Sequence, residues 1–135
     1  MGLFSKKSKV NPKISTQGID ILFDLDFEIW EFSYRGIDFV SFEKDLALPT
    51  IAQLDEIRST IESLQPEINS RIENGLEEWC EGAKINSGER CLINISDFVS
   101  DREFTACYSE GANWGDVGVD LTIIDQEIID DSWSD

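Results

Sequence analysis

The strongest constraint in this chain is a single apolar stripe at helical spacing, set between two regions that alternate like strands. Ile51, Leu54, Ile57, Ile61, Leu64, Ile68, Ile72, Leu76 and Trp79 recur every three or four residues, the spacing that lines one side of an α-helix. Thr50 precedes the stripe and Gln53 follows it by three positions, the pattern of a capping box. Pro66 stands inside the stripe; it has no N–H to donate, and its ring crowds the preceding turn. Unbroken as far as Gly82, such a helix would run about 50 Å at 1.5 Å per residue, long for a compact domain. Residues 50–82 therefore read as one kinked helix or two helices sharing a face, with the kink or break at Pro66.

Both flanks carry the two-residue period of strands. Ile21, Phe23, Leu25, Phe27 and Ile29 alternate with Asp24, Asp26 and Glu28, as in a strand with one buried face. The phase then slips, because Trp30, Phe32 and Tyr34 occupy even positions; a bulge or turn near residues 26–29 accounts for the slip. Arg35-Gly36 reads as a tight turn into a partner strand, Ile37 to Phe42. After the helical block come Cys91–Ile95, Phe104–Tyr108 and Val117–Ile124, with Asp125-Gln126 turning the last into Glu127–Ile129. Strands on either side of one helical block predict an α+β fold, an antiparallel sheet with the helical segment packed on one face. Residues 1–17 read as a flexible basic arm, and residues 18–135 as a single domain with a frayed acidic tail from Asp130.

Charge narrows the function. Lys and Arg number 11 against 28 Asp and Glu, a net −17 over 135 residues. Four of the basic residues, Lys6, Lys7, Lys9 and Lys13, fall in the arm, which leaves 7 against 28 in the remainder. Such a domain repels nucleic acid and anionic membrane and attracts a basic partner; the same charge also serves solubility. There is no histidine, which excludes Ser-His and Cys-His nucleophile pairs and His-containing zinc or haem sites. Cys80, Cys91 and Cys107 show no C-x-x-C spacing and read as reduced, buried thiols of a cytoplasmic protein. No apolar run is long enough for a transmembrane helix or a secretory signal. No P-loop, G-x-G-x-x-G, G-x-S-x-G or EF-hand pattern occurs, so no cofactor is expected.

Two segments hold the candidate residues. Asp24, Asp26 and Glu28 share one face of the expected strand, where three acids either hold a divalent metal or, more commonly, form a solvated face. In the stretch from Ala112 to Asp120, Trp114 precedes two glycines that bracket Asp116. Trp114 either caps the core or, with its flanking acids, anchors a partner. The order hairpin, amphipathic helix, strands, then Trp114-Gly115-Asp116-Val117-Gly118-Val119-Asp120 and Thr122-Ile123-Ile124, resembles small acidic bacterial immunity proteins found beside polymorphic or contact-dependent growth-inhibition toxins. That resemblance implies a non-enzymatic cytoplasmic inhibitor whose partner is a cognate toxin domain, with a basic nuclease fitting the charge best. No catalytic residue transfers from it. The expected exposure pattern ranks Asp24, Asp26, Glu28, Trp114, Asp116 and Asp120 as partner-binding. A metal-dependent carboxylate enzyme and an acidic adaptor remain the alternatives.

Overall fold

The computed structural model describes residues 12–43, 47–79, 90–109, 114 and 116–134. Its elements are β1 (Lys13–Thr16), β2 (Ile19–Asp24), β3 (Ile29–Tyr34), β4 (Ile37–Ser41), α1 (Ile51–Trp79), β5 (Arg90–Asn94), the single turn α2 (Phe98–Asp101), β6 (Glu103–Ser109), β7 (Gly118–Ile124) and β8 (Glu127–Ser134). The eight strands form one sheet in sequence order. Every neighbouring pair is antiparallel except β4 and β5, which run parallel with α1 between them in the chain. This is the expected α+β class: a mostly antiparallel sheet with a long helix on one face.

Three hairpins close through two-residue turns. Gln17-Gly18, Arg35-Gly36 and Asp125-Gln126 all have positive φ at both positions, the conformation that matches the right-handed twist of the flanking strands. The first of these hairpins corrects the expected arm. Lys13–Thr16 is paired in register with Ile19–Leu22, because Ile14 faces Ile21 across the turn while Lys13 reaches the Asp20 carboxylate at 3.3 Å. Residues 1–11 lie outside the described residues.

Of the two expected arrangements, one helix or two sharing a face, the single helix is the one present, and the chain does not break at Pro66. Residues 51–79 form one 29-residue helix. Its start is the predicted capping box: Gln53 N–H donates to Thr50 Oγ1 at 3.2 Å, and Thr50 N–H donates to Gln53 Oε1 at 2.9 Å. Pro66 and Glu62, whose carbonyl loses a donor to the proline, are both exposed. The deficit therefore falls on the solvent side, where water can satisfy the carbonyl.

The helix fits because it crosses the strands rather than running along them. Asp55 meets Tyr34 and Arg35 at the β3–β4 hairpin, whereas Arg71 meets Asp131 of β8. About 16 residues separate Asp55 from Arg71, roughly 24 Å of helix. Five interstrand spacings separate β3 from β8, also roughly 24 Å. An eight-stranded sheet is wide enough to carry a helix of this length.

Leu54, Ile57, Ile68, Ile72 and Leu76 of α1 are fully buried against Ile21, Phe39, Ile93, Leu121 and Ile123 of the sheet. Burying each such side chain contributes about 2 kcal/mol. Phe32 and Phe39 stack across β3 and β4 with centroids 5.1 Å apart. The expected frayed tail is also corrected. Residues through Ser134 belong to β8, and its register shifts at Thr122/Ile123. Ile128 points inward before that bulge and Trp133 after it, so no single alternation marks the strand.

Because β2, β4 and β5 run in one direction, all three end at the same edge of the sheet. The β2–β3 turn, the start of the β4–α1 connection and the β5–β6 connection with α2 therefore share that edge. This upper edge positions the site described next.

Candidate functional site

Asp24, Asp26 and Glu28 do lie together, but not on a strand face as expected. β2 stops at Asp24, and residues 25–28 form the turn into β3. The Asp24 carboxylate ends the strand: Oδ1 accepts the backbone N–H of Asp26 at 2.9 Å and that of Phe27 at 3.2 Å. Asp side chains compete in this way for amides that a ladder would otherwise use. Glu28 N–H closes the turn onto the Asp24 carbonyl at 2.7 Å, with Glu28 at φ 56°. Asp24 is thus occupied in holding the turn, while the exposed Asp26 and Glu28 side chains flank Phe27, which is 75% exposed.

The other three residues stand elsewhere. Trp114 is fully buried and belongs to the core cluster. That places it with the core-capping alternative and takes it off the surface a partner reaches. Val117 N–H bonds back to the Trp114 carbonyl at 3.2 Å, leaving Asp116 exposed between them just before β7. Asp116 therefore sits at the edge opposite the β2–β3 turn. Asp120 is exposed in mid-β7, on the sheet face away from α1, paired with Cys107 of β6 and Ser132 of β8. β2 and β7 are five strands apart, about 24 Å, so the six residues do not form one site.

Acidic residues predominate on that outer face, which also carries the register positions of Lys13 and Arg90. Asp20, Glu31, Asp38, Asp120 and Asp130 all occupy register positions facing away from the helix. A shallow groove of about 320 Å³ opens on it between Leu22, Glu31, Ser33, Asp38 and Leu92, and the Ser33 hydroxyl donates to Asp38 within it. The Asp20 carboxyl is held below the usual aspartate range by hydrogen bonds from the Ser15 hydroxyl and the Lys13 ammonium. Burial, with Asp120 beside it, pushes the Cys107 thiol up to about 12. Burial also raises the Cys91 thiol, partly offset by a hydrogen bond with Tyr108. Both are protonated, weakly nucleophilic thiols at neutral pH; Cys80 lies outside the described residues.

Internal pairing leaves the surplus of acid uncovered. Lys13, Arg35, Arg58, Arg71 and Arg102 each lie within 4.0 Å of a carboxylate of the same chain. These cations engage a minority of the 28 acids. Among the described residues, no three of His, Cys, Asp and Glu converge as a metal site would require, and no helix is long and apolar enough to cross a membrane.

Sequence reasoning missed the exposed apolar residues of the upper edge. The alternation places Phe27 on a buried strand face and Phe42 at the end of a strand, and gives Val99 no element. They are 75%, 60% and 48% exposed. The available signal was the phase slip, which falls at residues 25–28 and puts Phe27 in the turn. Comparison with known proteins adds no assignment: no family model, curated protein or solved structure matches the chain.

Proposed function

We propose that this protein is a non-enzymatic inhibitor that binds a basic protein toxin through its acidic surface and blocks it, a nuclease domain being the partner whose charge fits best. The observation that carries this reading is the distribution of charge. Lys13, Arg35, Arg58, Arg71 and Arg102 are engaged in internal pairs, while exposed carboxylates outnumber cations among the described residues of the outer sheet face and the upper edge. On a rigid sheet, such carboxylates present a fixed array that mimics the phosphates a basic active site is built to hold. The summed field also accelerates encounter with a cationic partner.

The test uses the tagged full-length chain. It should retain from its own cells, at low salt, a basic protein whose growth-inhibiting activity it abolishes in a purified assay. Binding should weaken steeply between low and physiological ionic strength, because the Debye length shortens to about 8 Å. Retention only of acidic partners, or of a basic partner whose activity persists in the complex, would refute the proposal.

A further inference from the structure

We infer that the upper edge of the sheet carries a docking ridge for a basic polypeptide segment bearing apolar side chains. The ridge is built from Phe27, Phe42 and Val99. Scattered exposed apolar residues are ordinary on protein surfaces. These three differ in their placement, since they come from three separate connections that the topology brings to one edge. Phe27 tips the β2–β3 turn, Phe42 follows β4 directly, and Val99 lies in α2 between β5 and β6. A hydrogen bond from Phe42 N–H to Ser96 Oγ at 2.8 Å ties the second connection to the third. The line from β2 to β6 covers four interstrand spacings, about 19 Å, the scale of a short docked segment.

Charge complementarity selects the occupant. Asp26 and Glu28 bracket Phe27, Glu43 follows Phe42, and Asp97 and Asp101 flank Val99; all are exposed. Among the described residues, the cation of this edge is Arg102, and it is engaged by Glu56 at 2.7 Å and lies over the Phe98 ring. Exposed phenyl rings without those acids would also suit a lipid surface, but a carboxylate rim is repelled by anionic headgroups. A polypeptide with Lys or Arg around an apolar side chain satisfies both halves of the surface. The turn holding Phe27 is fixed by the Asp24 carboxylate, so little ordering entropy is lost when the ring is covered.

The ridge deepens the proposed function and rests on that reading; the experiment separates the two. Two peptides of about 12 residues are titrated against the uniformly ¹⁵N-labelled full-length chain. One alternates Lys with Phe and Leu, and the other has Ser at each apolar position. The apolar peptide should bind at least about tenfold more tightly at equal charge, equivalent to about 1.4 kcal/mol. Its amide shifts should centre on residues 25–28, 42–43 and 97–101. The advantage should vanish in a Phe27→Ser/Phe42→Ser variant whose melting temperature and spectrum are otherwise unchanged, both side chains being mostly exposed. Equal affinity for the two peptides, or shifts centred on the outer sheet face, would overturn the ridge and leave the electrostatic reading standing. No binding of either peptide at low salt would overturn both.

Discussion

Gly75 lies inside a long helix, where alanine would ordinarily stabilise by about 1 kcal/mol. Here the sign should reverse. A methyl group at Gly75 would fall 1.8 Å from Cζ2 and 2.2 Å from Cε2 of Trp133, so the indole lies flush on the helix backbone. The ring is not free to swing aside: its Nε1 donates to Asp131 Oδ2 at 3.1 Å, and Arg71 holds the other oxygen of that carboxylate at 3.3 Å. A tryptophan buries about 150–250 Å² when fully covered. Returning about 100 Å² of this half-buried ring to water costs about 2.5 kcal/mol at 25 cal/mol per Å². Set against the helical gain, Gly75→Ala should destabilise by about 1.5 kcal/mol. In urea, that lowers the midpoint by roughly 0.5–1 M. The decisive measurement is the double-mutant cycle with Trp133→Ala. Once the ring is gone, Gly75→Ala should stabilise by about 1 kcal/mol, a coupling of about 2.5 kcal/mol. The same sign in both backgrounds would show that the indole does not lie on α1.

Trp114 is a core residue in this structure, so Trp114→Ala should cost about 3–5 kcal/mol and be read out as a loss of cooperative unfolding, whereas an exposed anchor would leave the melting curve intact. Thr50→Ala should lower stability by about 1 kcal/mol in denaturant titration, because it removes the Oγ1 that accepts the Gln53 N–H, while the reciprocal bond from the residue-50 N–H to Gln53 Oε1 is kept. The Cys107 thiol is raised to about 12 in the folded chain, so at pH 8–9 the folded form holds a proton that the unfolded chain begins to release. Alkylation at pH 8.5, followed by peptide mapping, should modify Cys107 slowly in buffer and rapidly in urea. The same linkage leaves stability unaffected below the ordinary thiol value near 9 and removes it progressively from there up to the folded value of about 12.

Much of the fold was legible because local chemistry and global packing agree. The 3–4 stripe of α1, the Thr50 capping box, and the turns at Arg35-Gly36 and Asp125-Gln126 each rest on interactions within a few residues, and each is present. The misjudgements share a different cause: they depended on partners distant in sequence. Lys13–Thr16 has no strand signature of its own and is a strand because Ile19–Leu22 supplies a ladder. Residues 130–134 look like an acidic tail until the bulge opposite Thr122/Ile123 brings Trp133 around to Gly75. Pro66 looks like a break when the helix is judged by domain diameter, and ceases to be one when the helix lies across eight strands.

The candidate site is legible by charge and obscured by phase. Asp24, Asp26 and Glu28 were recognised as a cluster, yet a continued two-residue period made them the solvent face of a strand and hid Phe27 on the opposite, buried side. One interaction reverses that assignment. An aspartate whose carboxylate takes the amides two and three residues onward ends a strand as surely as a glycine turn does, and every residue after it changes environment. Phe27 is then an apolar side chain at a hairpin tip, exposed and bracketed by acids, with no core to explain it. Trp114 shows the converse: its flanking glycines and acids left a core cap and a partner anchor both open, and its burial in the core cluster decides for the cap. Binding residues in a chain like this are therefore better sought where an acidic side chain is spent on its own backbone. That expenditure fixes a turn, and a fixed turn can present an apolar residue to a partner at small entropic cost.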